Sequence, residues 1–118
     1  MKCVKPYFVT TPIFYVNASP HIGHLHSALL ADAQNRFRKS LGDNDTYFTT
    51  GTDEHGLKIQ KAAENSNYSD PQLFCDDISK KYSELFSYFD INHSEFIRTS
   101  HERHKVKKLR LEHSKIPS

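Results

Sequence analysis

Two histidines, His21 and His24, lie one helical turn apart at the predicted start of a helix. Their imidazole nitrogens can donate hydrogen bonds to phosphate oxygens. A helix start adds unpaired N–H groups and the positive end of the helix dipole, which also favour an anion. Gly23, between the two histidines, carries no side chain and lets a flat ring approach the backbone. The tetrapeptide H-I-G-H therefore predicts a phosphate site, although by itself it also fits two surface histidines on an amphipathic helix.

Two other ligand classes fit these residues less well. His21, His24 and His26 are potential metal ligands, but no carboxylate or cysteine nearby completes the set. We therefore expect no protein-bound metal in this segment. A dinucleotide site is also disfavoured, because the turn lacks the G-x-G-x-x-G pattern and Gly23 stands alone.

Length, charge and cysteine content exclude several classes of protein. The 118 residues suit one small domain, and 16 Lys+Arg against 14 Asp+Glu do not predict nucleic-acid binding. No stretch is apolar for long enough to span a membrane, so we expect no membrane partner. Cys3 and Cys75 lack the spacing of zinc ligands, and we expect a reduced pair.

Strand and helix patterns alternate along the chain. Stretches rich in β-branched and aromatic residues predict strands at Tyr7–Thr11, Thr46–Thr50 and Glu95–Thr99. Helices are predicted from Ile22 to Leu41, over Leu57–Glu64 and from Pro71 to Phe89, with residues 13–20 and 51–56 as loops and a weaker helical pattern over 101–113. This order predicts an α/β fold: a parallel sheet with crossover helices, corresponding to half of a doubly wound domain.

The apolar residues of the predicted helices recur at steps of three and four, which is the spacing of a buried helix face. In the first long helix these residues are Ile22, Leu25, Leu29, Ala33 and Phe37. In the last helix we expect Phe74, Tyr82 and Phe89 to serve only as core packing. With one predicted sheet edge unpaired and apolar surface uncovered, we also expect the isolated chain to be marginally stable.

Two loops follow neighbouring predicted strands. The segment from Tyr7 to His24 reads YFVTTPIFYVNASPHIGH, and the segment from Gly51 to Leu57 reads GTDEHGL directly after the second strand. Ligands of open parallel sheets bind beyond the carboxyl ends of the strands. The two loops therefore predict one site that is built from two strand ends.

These motifs together resemble the methionyl-tRNA synthetases, which are class I aminoacyl-tRNA synthetases. The resemblance rests on H-I-G-H, on T-T-P-I-F-Y-V-N before it, and on T-G-T-D-E-H-G-L-K-I after the second strand. It runs from about Tyr7 to Ser100, and the segment Ser27–Ala33 leans towards the mitochondrial-type branch. It implies a partial catalytic domain over 1–118: the first half of a class I synthetase Rossmann-like (HUP-type) domain, with 101–118 as a divergent tail.

The resemblance implies a reaction with ATP, and it assigns one set of residues to that substrate. Enzymes of this family activate methionine with ATP, with Mg²⁺, and then transfer it to tRNA(Met). By the motif match, His21 and His24 would be catalytic and would stabilise the triphosphate as charge builds. Gly23 would lie against the adenine, and Asn17 belongs to the same ATP-side loop.

The resemblance assigns a second set of residues to methionine. Asp53 would hold the methionine ammonium group, Tyr15 would shape the pocket, and Ile13 would offer backbone groups. The role of His55, in the matching loop, is left open. Taken alone, Asp53 also fits a residue that caps its own loop, and Tyr15 and Ile13 fit plain core positions.

The chain also departs from the family pattern. It contains no K-M-S-K-S loop, the second catalytic signature, so we expect a methionine–tRNA ligase fragment that is inactive alone. Two alternatives stay open: a non-catalytic truncated isoform that keeps nucleotide or methionine binding, and a nucleotidyltransferase of the same superfamily. The mitochondrial-type resemblance implies the mitochondrial matrix, with the cytoplasm as the alternative, and no transit peptide is visible.

Overall fold

Strands and helices alternate along residues 5–106, which are the residues that the computed structural model describes. The elements are β1 (Tyr7–Thr10), β2 (Phe14–Tyr15), α1 (Ile22–Ser40), β3 (Thr46–Asp53), α2 (Leu57–Asn65), α3 (Pro71–Tyr88) and β4 (Glu95–Arg98). Residues 102–106 are helical as well. The remainder of the predicted tail, 107–118, lies outside the described residues, as do Met1–Val4 with Cys3.

All strand pairs are parallel, and each of them includes β3. Strand β1 pairs with Thr46–Thr49 and β2 with Thr52 and Asp53, whereas β4 pairs with Thr49–Thr52. A strand residue can pair on only two sides. Thr49 of β3 pairs with both β1 and β4, and Thr52 of β3 pairs with both β2 and β4. Strands β1 and β2 therefore lie end to end on one side of β3, with β4 on the other side. The predicted α/β fold with a parallel sheet is confirmed.

Two of the predicted loops contain strand residues, which corrects the sequence interpretation. Phe14–Tyr15 forms β2 inside the predicted loop 13–20, because the chain returns to pair with the end of β3. Strand β3 also continues to Asp53, through Gly51. A Cβ atom on Gly51 would lie 1.9 Å from the carbonyl oxygen of Ile97. Gly51 is therefore a strand glycine that lets β4 approach closely, and it does not begin a loop.

One face of the sheet forms the core. Alternate residues of β3, Phe48, Thr50 and Thr52, are buried beneath the helices. The buried apolar cluster contains Phe14, Val16, Leu25, Ala28, Ala31, Phe48, Ile59, Ala63, Phe74, Cys75, Ile78, Tyr82, Phe86 and Ile91. On the opposite face, Phe8 and Tyr47 stack on each other with ring centroids 5.4 Å apart. Both remain exposed, at 62% and 46%.

The buried face of α1 is rotated from the predicted one. Ile22 is 84% exposed, and Leu29, Ala33 and Phe37 are exposed as well. Of the predicted positions only Leu25 is buried, and the helix also buries Ala28, Ala31, Asp32 and Asn35. The small alanines allow close approach to the sheet, and the Asp32 carboxylate is satisfied by the N–H of Asn92 at 2.9 Å.

The ends of the helices follow their local chemistry. Asp70 caps α3 by accepting a hydrogen bond from the N–H of Gln72 at 2.9 Å, and Pro71 occupies the first turn, as predicted. Gly42 follows α1 with φ of 93°, the conformation that favours glycine. Phe89, a predicted core residue, is instead 44% exposed. It lies after the end of α3, where the chain turns away at Asp90 with φ of 53°.

Candidate active site

The two predicted loops meet at the carboxyl ends of β2 and β3. Tyr15 and Asp53 are paired residues in neighbouring strands, and the next N–H, that of Val16, donates to the Asp53 carbonyl oxygen at 3.3 Å. Gly56, with φ of 118°, follows in the second loop, where a Cβ atom would lie 2.6 Å from the Tyr15 hydroxyl. Ile13 is half exposed just before β2. The structure therefore brings Ile13, Tyr15 and Asp53, the three residues predicted to bind methionine, to one sheet edge.

His21 and His24 form the cap of α1. His21 is the N-cap residue, and its Nδ1 accepts a hydrogen bond from the N–H of Gly23 at 3.0 Å. The Nδ1 of His24 accepts in return from the N–H of His21 at 3.1 Å. The ring centroids are 3.8 Å apart. Two histidines thus make the reciprocal capping arrangement that a serine and a glutamate usually make.

The two imidazoles differ in their surroundings. His21 is exposed, whereas the His24 ring lies edge-on to Phe14 at 5.4 Å and close to Tyr82. Burial, and secondarily the nearby His21, lowers the pKa of His24 below its ordinary value of 6.5. His24 is therefore neutral at pH 7 in the ligand-free chain, with Nδ1 as an acceptor and the proton on Nε2.

Gly23 permits the His21 cap. A Cβ atom on Gly23 would lie 2.9 Å from Cε1 and 3.1 Å from Nδ1 of His21. The flat ring that approaches this backbone in the ligand-free chain is therefore an imidazole of the motif itself. The expected approach of the adenine to Gly23 stays a prediction.

The loop after β3 carries Asp53 and His55. The Asp53 Oδ1 accepts a hydrogen bond from the N–H of His55 at 3.3 Å, which is the loop-capping role that the sequence left open for this residue. The other carboxylate oxygen is outside that contact. The His55 Nε2 lies 3.3 Å from the carbonyl oxygen of Thr99, so its ring packs towards the end of β4.

A buried carboxylate, Glu54, anchors this loop, and the sequence reasoning missed it. Its side chain is fully buried and forms an ion pair with Arg98 at 2.6 Å. It also accepts hydrogen bonds from the hydroxyls of Thr52 (3.1 Å), Ser79 (2.5 Å) and Ser100. Burial raises the pKa of Glu54, but the hydrogen bonds from Arg98 and from the serines outweigh burial and hold the pKa below its ordinary value.

Asn17 lies apart from this cluster. It is exposed in the loop before α1, where it lines a cleft with Ser19, Phe74 and Ile78. The structure gives it no hydrogen bond to the histidines. It shares their loop, and α3 forms the opposite wall of the cleft.

The arrangement combines hydrogen-bond donors that suit an anion with a carboxylate that suits a cation. Nδ1 of both histidines is engaged by backbone N–H groups, so the Nε2–H of the exposed His21 is available to donate to a phosphate. The carboxylate of Asp53 at the adjacent strand end suits an ammonium group. Among residues 5–106, no cluster of three or more His, Cys, Asp or Glu side chains could hold a metal ion. None of the helices described is long and apolar enough to cross a membrane.

Residues 7–112 match the family described as tRNA synthetases class I (M). The chain is 54% identical over 105 residues to "Methionine--tRNA ligase, mitochondrial" of Homo sapiens, covering 87% of this chain and 17% of that protein. It is 48% identical over 103 residues to the Candida albicans protein of the same name, covering 87% and 18%. A solved structure, Mycobacterium tuberculosis methionyl-tRNA synthetase in complex with methionyl-adenylate, has a TM-score of 0.79 at 40% identity, covering 86% of this chain and 19% of that chain.

The chain therefore spans less than a fifth of the length of these relatives. The family match continues to residue 112, beyond the boundary predicted at residue 100. The last residues of that match lie outside the described part of the chain, so the extent of a divergent tail stays a prediction.

Proposed function

The chain belongs to the tRNA synthetases class I (M) family, and on that basis we propose that it supplies part of the active site of a methionine–tRNA ligase. The predicted resemblance to methionyl-tRNA synthetases is thereby confirmed. In the proposed reaction a methionine carboxylate oxygen attacks the α-phosphate of ATP, and the bond to pyrophosphate breaks. The adenylate then transfers its methionyl group to tRNA(Met). One observation carries the proposal: the Tyr15–Asp53 pair lies at the same sheet edge as the histidine-capped start of α1.

On the ATP side, we propose that the chain acts by positioning and by charge stabilisation. His21 and His24 donate hydrogen bonds to the triphosphate, His21 through its exposed ring. The N-terminus of α1 adds its dipole. Gly23, which carries no side chain, lies against the adenine, and Asn17 contacts the nucleotide from the loop before α1. Mg²⁺ accompanies ATP as part of the substrate.

On the methionine side, we propose that the free oxygen of Asp53 binds the ammonium group. Ile13 offers its backbone groups, and Tyr15 forms one wall of the pocket. His55 belongs to the second loop, and its ring is directed to the Thr99 carbonyl oxygen. We assign it no contact with methionine. These roles leave the carboxylate of methionine facing the nucleotide.

The wider context is also proposed. Residues 1–118 form the first part of a catalytic domain, and the other half of the ATP site lies on segments that this chain does not contain. We therefore propose that the chain alone does not charge tRNA. The reported curated relatives carry "mitochondrial" in their names, and we propose the mitochondrial matrix as its location.

Isothermal titration of the purified chain with methionine and with ATP tests the proposal. Asp53→Ala should abolish methionine binding, while Asp45→Ala, an exposed aspartate in the turn before β3, should retain it. Leucine serves as the competing amino acid and should not bind. ATP binding without methionine binding would favour a nucleotidyltransferase, and binding of neither ligand would contradict a formed half-site in this chain.

A further inference from the structure

Tyr82 of α3 is the one tyrosine in the described residues that is fully buried. Its ring stacks on Phe14 with centroids 5.4 Å apart and an interplanar angle of 15°, and it meets Phe86 edge-on at 6.2 Å. These contacts fix the ring, so the hydroxyl has little freedom of position. It lies 3.1 Å from Nδ1 and 3.3 Å from Nε2 of His24.

A phenylalanine would satisfy the packing around this position. Apart from His24, the aromatic neighbours of the Tyr82 ring are apolar. A buried hydroxyl without a partner is costly, by roughly 1–3 kcal/mol. Within the described part of the chain, the hydroxyl has hydrogen-bond geometry only towards the His24 ring. Burial raises the pKa of Tyr82 to about 12, so the group is a protonated hydroxyl at neutral pH. Core packing alone, the role expected from the sequence, does not account for this oxygen.

The His24 ring is held from two sides. The N–H of His21 donates to Nδ1 from the helix cap, and the Tyr82 hydroxyl reaches the ring from α3. Phe14 of β2 bounds it edge-on at 5.4 Å. Among the described residues, the titratable groups in contact with His24 are therefore His21 and Tyr82.

We propose that Tyr82 is a positioning residue for His24: its hydroxyl holds the orientation of the second histidine of H-I-G-H and, together with the His21 N–H, keeps Nδ1 as the acceptor. The inference deepens the proposed function, on which its effect on ATP depends. The geometric part does not depend on that function, because it concerns the ligand-free chain. Tyr82 acts through His24 and does not itself contact the substrate.

The first test uses ¹⁵N-labelled histidine and two-bond ¹H–¹⁵N spectra of the 118-residue chain at low temperature. In the parent chain the ¹⁵N chemical shifts of the two ring nitrogens of neutral His24 should be well separated, as in one fixed tautomer. In Tyr82→Phe these two chemical shifts should approach each other, as in a mixture of tautomers, while the backbone amide spectrum stays the same. Tyr68→Phe is the matched control: it removes a hydroxyl that bonds to Asp77 at 3.2 Å and touches no histidine.

A second measurement needs no variant. The parent chain should show a nuclear Overhauser contact between the Tyr82 ring protons and Hε1 of His24. The inference would be overturned if this contact were absent, or if the ¹⁵N chemical shifts of His24 changed equally in Tyr82→Phe and Tyr68→Phe.

Ligand binding then separates positioning from general structure. Tyr82→Phe should weaken ATP binding several-fold and leave methionine binding unchanged, because Ile13, Tyr15 and Asp53, which we propose bind methionine, lie on or next to β2 and β3. Equal weakening for both ligands would mean a structural role and would contradict the inference. If the parent chain binds neither ligand, this chain alone does not form the proposed half-site, while the ring-nitrogen spectra still decide whether Tyr82 positions His24.

Discussion

At the scale of single residues, the histidine cap explains why this motif suits phosphate. His21 and His24 each use Nδ1 to accept a backbone N–H, which leaves the proton of the neutral ring on Nε2. A phosphate oxygen requires a donor, and the cap fixes the tautomer that provides one. The same hydrogen bonds satisfy two N–H groups of the first turn. Folding of the helix start and preparation of the anion site are therefore one event.

Gly23→Ala tests this dual role. The new Cβ would lie 2.9 Å from the His21 ring and displace it. Loss of the cap destabilises the folded chain by about 1 kcal/mol. Replacing a helical glycine by alanine stabilises it by about 0.5–1 kcal/mol. We expect urea denaturation to show a free energy of unfolding within about 1 kcal/mol of the parent value. ATP affinity, measured by titration, should fall by roughly tenfold, about 1.4 kcal/mol. A variant that binds ATP normally would show that the cap geometry is dispensable.

Two histidines should make the stability of the chain sensitive to mild acid. Burial lowers the pKa of His24, with His21 as a second cause. Burial also lowers the pKa of His93, against opposing contributions from a backbone hydrogen bond and from Asp32. Below the unfolded-state pKa of about 6.5, the unfolded chain binds more protons than the folded chain, so the free energy of unfolding rises with pH in this window.

We therefore expect the urea midpoint to fall as the pH decreases from about 7.5 to about 5.5. His93→Gln should flatten this dependence, whereas substitution of the exposed His26 by Gln should leave it unchanged. A midpoint independent of pH in this range would contradict neutral, partly buried histidines. The Glu54 contribution, whose pKa is lowered, is lost only at more acid pH, below the ordinary carboxylate value.

At the scale of elements, the Glu54 cluster joins three of them. Glu54 follows β3, Ser79 belongs to α3, and Arg98 ends β4. Arg98 also pairs with Asp76 of α3. The N–H of Glu54 donates to the Thr99 hydroxyl at 2.9 Å. Asp53 and His55 flank Glu54. This cluster therefore holds the loop that carries Asp53, whose carboxylate we propose binds the methionine ammonium group.

Breaking this ion pair should be costly. Arg98→Met leaves the fully buried Glu54 carboxylate without its ion-pair partner, which costs about 3–5 kcal/mol. Glu54→Gln should cost less, because Arg98 keeps its pair with Asp76. The double variant should recover part of the loss caused by Arg98→Met, because the charge that it leaves unpaired, on Asp76, is half exposed and not buried. Glu84→Gln is the control, since its pair with Lys80 is exposed on α3, and it should cost less than about 1 kcal/mol. Denaturant unfolding of the four variants measures these differences. Equal, small effects for both pairs would show that the buried pair is not an anchor.

The sequence predicted the elements whose signals are local, and it failed where contacts are distant. Capping residues and periodicity placed α3 at Asp70-Pro71 and the end of α1 at Gly42. Strand β2 has two residues, too few for any periodicity to mark it. The pairing of Glu54 with Arg98 joins residues 44 positions apart, and no local pattern indicates it. The buried face of α1 was misplaced because Ala28, Ala31 and Asp32 are buried while the larger Ile22, Leu29 and Phe37 stay exposed.

At the scale of the whole molecule, the sheet is covered unequally. The helices cover the face with Phe48, and the other face exposes Phe8 and Tyr47 in the described part of the chain. Parallel sheets are normally covered on both faces. The relatives are more than five times longer than the aligned region, so further chain is available in them to cover this face. The isolated chain therefore keeps apolar surface in water.

This surface predicts low stability and dye binding. We expect the isolated chain to melt below about 45 °C, at the lower end of the range of small domains, and to bind the apolar dye ANS while folded. Phe8→Thr should reduce dye binding and leave the melting temperature unchanged, because Phe8 is 62% exposed. Val9→Thr, in the same strand but packed against the core, should lower the melting temperature, since it introduces a hydroxyl beside buried apolar groups. A sharp cooperative melt at high temperature without dye binding would mean that this face does not destabilise the chain. In that case the described elements β1–β4 and α1–α3 already form a self-sufficient domain.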